Sequence, residues 1–532
     1  MSASVSEEGI TQSRERPEMR SSFGTNSVYA GITGLCLTLG NFVSSIIIAR
    51  LLGVEDTGLV AYAIWLISAV VIVADLGITI TVARYVPELR GAGDENESDR
   101  LVAALLRPFA VSAILGPILI IPAVVFCLPG SVRGSSNLVW IVTAFGCCIQ
   151  SLAAFGLVYL QATSQFRRAA RRALTSFFIL LVGLPIGVLI LGPAGAIAAY
   201  LASNTVCAAI CFRFWGSKGR ILPSLRPRVV TYARYNWVTA IVVAFVYSRL
   251  ELLFLQQYQG SGATALFSVG LTLASLATQG PLLLTRGVFF YFAERVGAGD
   301  HSRVQQTMQT GTRLLAFLIF PTCLGTAAIM PSLLPAIYGK AFGQAVPAAS
   351  VLVCAAGLVA SQAIVSNLLL AYERNAFILW SGIGGAIAAT IFGMTLVPTF
   401  GVMGAAFGRS AIQLSLWCIG VFYVVRILRI PVPLGDLGRL LIAALVCAAA
   451  ARWCIMIFSG TTGLLIAIAT GGIIYVAAVR IIGALPEKDL NYLRAALPGV
   501  PASLHNAIAL IAKTRAPLRY GNVYASRDEG KL

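Results

Sequence analysis

The stretch ARLLGVEDTG (Ala49–Gly58), continued through apolar residues to ADLG (Ala74–Gly77) and closed by ARYVPELRGAGD (Ala83–Asp94), decides the fold. It reads as a turn on one side of a membrane, a spanning helix carrying one acid, and an exit on the other side. Its closing motif returns later. Glu88-x-x-Gly91-Ala92-Gly93-Asp94 is echoed by Glu294-x-x-Gly297-Ala298-Gly299-Asp300, an offset of 206. Gly192-x-x-Gly195-Ala196 is echoed by Gly401-x-x-Gly404-Ala405, an offset of 209. Two echoes at nearly one spacing indicate a duplicated unit of about two hundred residues.

Composition agrees with a membrane setting. The chain has 532 residues, 58% hydrophobic and 11% charged, with a mean hydropathy of +0.84. Soluble domains carry about a quarter charged residues, so this is the balance of a polytopic membrane protein. The net charge of +18 does not indicate nucleic acid, because the basic residues lie in short loops between apolar runs, as orientation signals do. All 11 cysteines fall inside apolar runs without zinc-site spacing and read as small buried hydrophobes.

A membrane helix needs about twenty apolar residues. Fourteen runs qualify: 25–48, 58–83, 102–127, 137–160, 173–191, 194–213, 229–257, 263–291, 311–331, 346–370, 376–397, 402–425, 437–458 and 461–484. The turns at Gly192-Pro193 and Ser459-Gly460 are short, so twelve or thirteen spans is the alternative count. Basic residues cluster on one side, at Arg167, Arg168, Arg171, Arg172, Arg213, Lys218, Arg220, Arg226, Arg228, Arg295, Arg303, Arg374, Arg426 and Arg429. The opposite loops offer Arg50, Arg133 and Lys340. Basic loops face the cytoplasm, which places both termini there and requires an even number of spans.

The expected organisation is all-α. Residues 1–23 form a disordered cytoplasmic tail without signal-peptide character. Residues 24–215 hold spans one to six, 216–430 hold spans seven to twelve in a parallel repeat, and 431–485 hold two extra spans. Residues 486–532 form an amphipathic helix on the cytoplasmic interface, with Leu490, Leu493 and Leu497 on one face, followed by a basic tail.

An ionisable residue inside a span costs about 2.5–3.5 kcal/mol and needs a reason. The assigned orientation puts Arg249 and Glu251 (span seven), Arg409 (span twelve), Arg452 (span thirteen) and Arg50 (end of span one) towards the outer half. Asp75, Arg286 and Arg84 lie towards the inner half. Snorkelling to headgroups is the alternative for Arg50, Arg84 and Arg452; a pairing between helices is the alternative for Asp75. Arg249 and Glu251 are two apart and cannot pair well with each other, so each needs another partner or water. Arg409 with Gln413, and Gln279 with Arg286, share helix faces and read as cavity walls or as single interhelical hydrogen bonds. Gln150, Gln161, Asn204, Gln362 and Asn367 could meet sugar hydroxyls or bond between helices. The surplus of guanidinium groups favours an anion, and a diphosphate matches their fork. The repeat keeps its turns but not these charges: Arg50 falls opposite Gln257, and Arg409 opposite Tyr200.

Several function classes are disfavoured. No GxxxxGK[ST] loop occurs, so the chain does not hydrolyse a nucleotide by itself. His301 and His505 both lie outside the spans, so no histidine metal site or proton relay is expected in the membrane. No cofactor or metal is expected, and the short outer loops leave little room for an enzyme. DENESD (Asp94–Asp99) reads as a solvated loop.

ARLLGVEDTG…ADLG…ARYVPEL (Ala49–Leu89), with the Gly-x-x-Gly-Ala turns at Gly192 and Gly401, resembles bacterial polysaccharide-biosynthesis transporters, the flippases for lipid-linked oligosaccharides. Their superfamily also holds multidrug and toxin extrusion antiporters and lipid II flippases. The resemblance covers about residues 24–500. It implies two six-helix lobes around a central cavity, two further helices, and residence in the bacterial inner membrane. It also implies a polyprenyl-diphosphate-linked glycan as substrate for exopolysaccharide, O-antigen or capsule, with membrane lipids, a polysaccharide polymerase and export machinery as partners. Cavity arginines and an acid in span two carry over to Arg249, Arg409, Arg286 and Asp75, with Asp75 as the ion-coupling candidate. Two rivals remain: a multidrug antiporter, which would favour cavity acids, and a glycan polymerase, which would need a larger outer loop.

Overall fold

Three of the longest helices in the computed structural model leave helical geometry at a glycine. The structure describes residues 8–127, 137–217, 219–247, 249–282, 285, 288–458 and 460–486. In chain order the helices begin with α1 (Glu8–Ala74), α2 (Ile78–Gly91), α3 (Glu95–Cys127), α4 (Asn137–Ala162) and α5 (Phe166–Ala208). They continue with α6 (Arg226–Tyr247), α7 (Glu251–Tyr258), α8 (Ser261–Leu282), α9 (Val288–Gly297) and α10 (His301–Tyr338). The last are α11 (Val346–Val359), α12 (Gln362–Ala371), α13 (Asn375–Arg426), α14 (Leu434–Ile457) and α15 (Gly460–Ile482). Short 3-10 turns follow α5 at Cys211–Phe214 and α10 at Lys340–Ala345. Among the described residues, ten helices are long and apolar enough to cross a membrane.

The 43 residues of α5 would reach about 65 Å if straight, roughly twice the ~30 Å hydrocarbon core. The helix reverses at Gly192, with φ 57° and ψ −132°, a conformation open essentially to glycine alone. Contact across the reversal is close: a Cβ on Gly195 would lie 1.8 Å from the Gly187 carbonyl oxygen. The same device recurs in α13. Gly401 has φ 55° and ψ −130°, and a Cβ on Gly404 would lie 2.1 Å from the Leu396 oxygen. Each of these helices therefore holds two of the expected spans. A third long helix, α1, leaves helical geometry at Gly53 (φ 76°, ψ −170°), inside the quoted turn motif.

These hinges are one of several backbone coincidences at a single spacing. Gly93 and Gly299 both close helices in the left-handed region. Their hydrogen bonds match: Asp94 N to Leu89 O at 3.0 Å with Gly93 N to Arg90 O at 3.0 Å, against Asp300 N to Arg295 O at 3.0 Å with Gly299 N to Val296 O at 3.1 Å. That is the Schellman closure, made twice. Gly53 with Gly260, and Ser164 with Glu373, add pairs of positive φ at offsets of 207 and 209. The duplication legible in the sequence is thus also a duplication of backbone geometry.

The fold divides into two compact units. The first takes in the described residues of Met1–Leu276, Leu333–Ala355 and Arg374–Leu416. Its core has one cluster around Tyr62, Leu66, Leu184 and Ile197 and another around Val82, Tyr85, Phe109, Phe155 and Phe214. The second unit takes in the described residues of Ala277–Ser332, Ala356–Glu373 and Trp417–Leu532. There Phe317, Leu440, Ala444 and Tyr475 pack together, and the Tyr475 hydroxyl donates to the Phe317 carbonyl at 2.7 Å. Elsewhere large apolar side chains face outward, among them Leu189, Ile190, Trp453 and Ile481. Lipid is the solvent that makes such a surface favourable.

Several expectations need correction. Run 58–83 is broken after Ala74, run 229–257 between Tyr247 and Glu251, and run 346–370 between Val359 and Gln362. Apolar runs set where chain enters lipid but do not require one unbroken helix, provided freed backbone groups find partners. Residues 8–23 of the expected tail are helical, as the start of α1. DENESD is not a solvated loop: Glu95 opens α3, with acids in its first turn suiting the positive end of the helix. The Asp99 carboxylate lies 3.3 Å from Arg90 and 3.6 Å from Arg213, and accepts a hydrogen bond from the Tyr159 hydroxyl at 3.4 Å. The amphipathic helix expected beyond Pro486 lies outside the described residues.

Candidate functional site

Interrupted membrane helices leave backbone groups unpaired, and two interruptions in the first unit carry ionisable residues singled out in the sequence. At the first, Leu76 (φ 53°) and Gly77 (φ 70°) separate α1 from α2. The carbonyls freed there are taken by neighbours. Trp237 Nε1 donates to Val73 O at 2.9 Å, and the Ser112 hydroxyl donates to Ala74 O. Gly77 lets α6 approach closely, since a Cβ would lie 2.1 Å from the Ala233 oxygen. The half-buried Asp75 accepts from the backbone N–H of Thr79 at 3.3 Å. It therefore caps α2, using its charge where the helix dipole is positive.

The second interruption lies between α6 and α7. Arg249 adopts φ 60°, an uncommon conformation for a residue with a side chain, and its carbonyl accepts from Leu252 N at 3.0 Å. Glu251 follows as the acid in the first turn of α7. α7 packs against the α13 hairpin. Phe254 lies so near Gly393 that a Cβ there would meet its ring at 2.2 Å. Gln259 Nε2 donates to Val397 O at 3.4 Å and Pro398 O at 3.5 Å, just before the Gly401 hinge. This docking brings Glu251 to Arg409. One guanidinium nitrogen lies 3.2 Å and 3.1 Å from the two carboxylate oxygens, with side chains only 13% and 9% exposed.

Arg409 is eight residues past the hinge, about 12 Å along the helix at 1.5 Å per residue. That depth lies within the hydrocarbon core if the hinge sits at its edge. Arg249 is the third member of the group, interacting electrostatically with both Arg409 and Glu251. Among the described residues its side chain makes no hydrogen bond. Two guanidiniums against one carboxylate leave a net positive charge.

The remaining candidates fall elsewhere. Arg50 is exposed and donates through Nε to Ile337 O at 2.8 Å, and through a second nitrogen to Ala336 O, closing the end of α10. Beside it the Ser45 and Tyr338 hydroxyls are 2.9 Å apart. Gln413 is half-buried one turn beyond Arg409. Gln279 is exposed on α8 and belongs to the second unit, while Arg286 lies outside the described residues. Arg84 stacks over Tyr232 at 4.8 Å. Asn204 and Gln150 hydrogen-bond each other, joining α5 to α4. Among the described residues no group of three His, Cys, Asp or Glu could hold a metal.

Sequence reasoning picked out Arg249, Glu251 and Arg409 but missed that Glu251 and Arg409 pair. No signal in the sequence gave the pairing, because contacts between residues far apart in the chain set how α7 docks on the α13 hairpin.

Comparison with known proteins adds two findings. A family model described as polysaccharide biosynthesis protein matches residues 47–347, whereas no curated protein sequence matches the chain. Similar solved structures include the lipid II flippase MurJ in an inward closed conformation, at 15% identity and a TM-score of 0.69, covering 85% of this chain and 98% of that one. An inward-facing multidrug resistance MATE family transporter of the MOP superfamily aligns at 15% identity and a TM-score of 0.59, covering 74% and 95%. A MOP superfamily transporter from Pyrococcus furiosus aligns at 15% identity and 0.54, covering 78% and 96%. At such identities the likeness establishes the fold.

Proposed function

This chain belongs to the polysaccharide biosynthesis protein family, and from that premise we propose that it flips a polyprenyl-diphosphate-linked oligosaccharide from the cytoplasmic to the outer leaflet. The physical difficulty in such a step is the head group, since sugar hydroxyls and a diphosphate cannot cross hydrocarbon unsolvated. In this reading the head group enters a hydrated pocket by alternating access, while the polyprenyl tail stays in lipid. Both termini and the basic loops face the cytoplasm of the bacterial inner membrane. A solved structure of similar fold is a lipid II flippase.

The observation that carries the reading is the Arg249–Glu251–Arg409 group. Holding charge at that depth is costly, and Arg249 remains without a protein hydrogen bond among the described residues, so its guanidinium is the ligand offered to a diphosphate. An antiporter for cationic drugs would keep a carboxylate available there; Glu251 is instead held by Arg409 and stands beside a second arginine. Asp75, at the break between α1 and α2, is assigned to ion coupling.

The test is export of surface glycan by Arg249→Ala. Export is expected to fall at least tenfold with membrane abundance unchanged. Full export at normal abundance would remove Arg249 from the transport path and with it the anion-binding role of the group.

A further inference from the structure

Away from that group, the first unit holds a basic cavity where α4 ends, α5 begins, and the 3-10 turn after α5 returns to the same end. Its volume is about 520 Å³, and its lining includes Arg168, Arg171, Arg172 and Arg213, with Gln165 and Thr175. None of the residues lining it is acidic. Residues 168, 171, 172 and 175 fall at i, i+3, i+4 and i+7, so they share one face of α5. The run RRAARR (Arg167–Arg172) reads as an orientation signal in the sequence, but the fold folds three of its arginines into a concave site.

The charge arrangement is unfavourable without a ligand. Like charges at helical spacing repel, and these lie in the first two turns of α5, where the helix end is itself positive. Two of the four arginines meet a backbone carbonyl or a carboxylate. Arg172 donates to the Val206 carbonyl, and Arg213 is 3.6 Å from Asp99. Arg168 donates only to the neutral Gln165, at 2.7 Å, and Arg171 is exposed. Guanidinium forks lining one cavity match a phosphate.

The surroundings indicate a lipid as the bearer of that phosphate. Phe212 and Trp215 flank Arg213 on the same turn, 73% and 60% exposed, with ring centroids 6.4 Å apart. Exposed aromatic rings of this kind sit at the headgroup level of a bilayer. Leu174 and Phe178, one and two turns along α5 from Arg171, are also exposed and offer an apolar track for acyl or prenyl chains. We propose that this cavity binds the phosphate headgroup of an anionic membrane lipid. The inference concerns a site separate from the Arg249 group and does not depend on the transport reading.

The test uses the full-length chain in detergent micelles, with bound lipid counted by native mass spectrometry. The probes are phosphatidylglycerol, phosphatidylcholine, a polyprenyl diphosphate and soluble pyrophosphate. The proposal expects an anionic lipid to bind at least tenfold tighter than phosphatidylcholine and to resist displacement by an equal concentration of pyrophosphate. It expects Arg168→Gln/Arg171→Gln to weaken binding about tenfold and Arg171→Gln alone about threefold. Arg220→Gln/Arg228→Gln, which removes the same charge from exposed positions just before and at the start of α6, is expected to leave binding within twofold. Whether phosphatidylglycerol or the polyprenyl diphosphate binds tighter identifies the lipid. Equal losses in the two double variants, no loss in either, or displacement by pyrophosphate would overturn the proposal.

Discussion

Neutralising Glu251 tests whether the buried group is a coupled electrostatic unit. In Glu251→Gln, Arg409 loses both charged contacts, at 3.2 Å and 3.1 Å, and stands beside Arg249 with nothing between two like charges. At 3.1 Å and an effective dielectric constant near 20, the lost attraction is about 5 kcal/mol gross. The desolvation already incurred by both ions offsets part of this, and removing one partner of a buried pair leaves a net loss of about 3–5 kcal/mol. Arg409→Gln, which leaves Glu251 only its electrostatic interaction with Arg249, is expected to lose about 3 kcal/mol. The double variant Glu251→Gln/Arg409→Gln is expected to lose no more than either single change, because a neutral pair can hydrogen-bond across the same gap. The coupling read from the cycle is then about 3 kcal/mol. Reversible unfolding in mixed micelles, followed by tryptophan fluorescence, measures all four corners. Single losses that simply add, to within about 0.5 kcal/mol, would show that the pair does not form.

Two further outcomes follow from the helix interruptions. Asp75→Asn keeps an oxygen to accept from Thr79 N, so fold and abundance are expected to hold while ion-dependent transport slows; unchanged ion dependence would reduce Asp75 to a helix cap. Gly192→Ala and Gly401→Ala force a side chain into the hinge conformation and are expected to cost about 1–3 kcal/mol each, seen as lower unfolding free energy in the same micelle assay. Wild-type stability in either would mean that the hinge does not require glycine.

The sequence was most informative where physics is local. Lipid selects long apolar runs, so an all-α membrane fold was legible, and turns need particular residues, so the Gly-x-x-Gly-Ala and Glu-x-x-Gly-Ala-Gly-Asp echoes exposed the duplication. Pairings set by packing were not legible. Glu251 and Arg409 are 158 residues apart, and no periodicity in either helix says that α7 docks on the α13 hairpin. Asp75 looked like an acid buried in a span because the apolar run continues past it. The break at Leu76-Gly77 depends on Trp237 and Ser112, distant in sequence, taking up the freed carbonyls. Arg50 was noticed for its position, but its use as a cap on α10 depends on a helix end almost three hundred residues away. Arg286 falls outside the described residues, so its assignment rests on its position in the sequence and on the resemblance.

Movement of a lipid-linked glycan between leaflets, the proposed function, is read directly from the leaflet in which the glycan lies. In cells lacking the chain, the polyprenyl-diphosphate-linked unit is expected to accumulate where an impermeant sugar-modifying probe added outside cannot reach it. Restoring the wild-type chain is expected to make it accessible, whereas restoring Arg249→Ala is not. Full accessibility of the lipid-linked unit in cells without the chain would contradict the account.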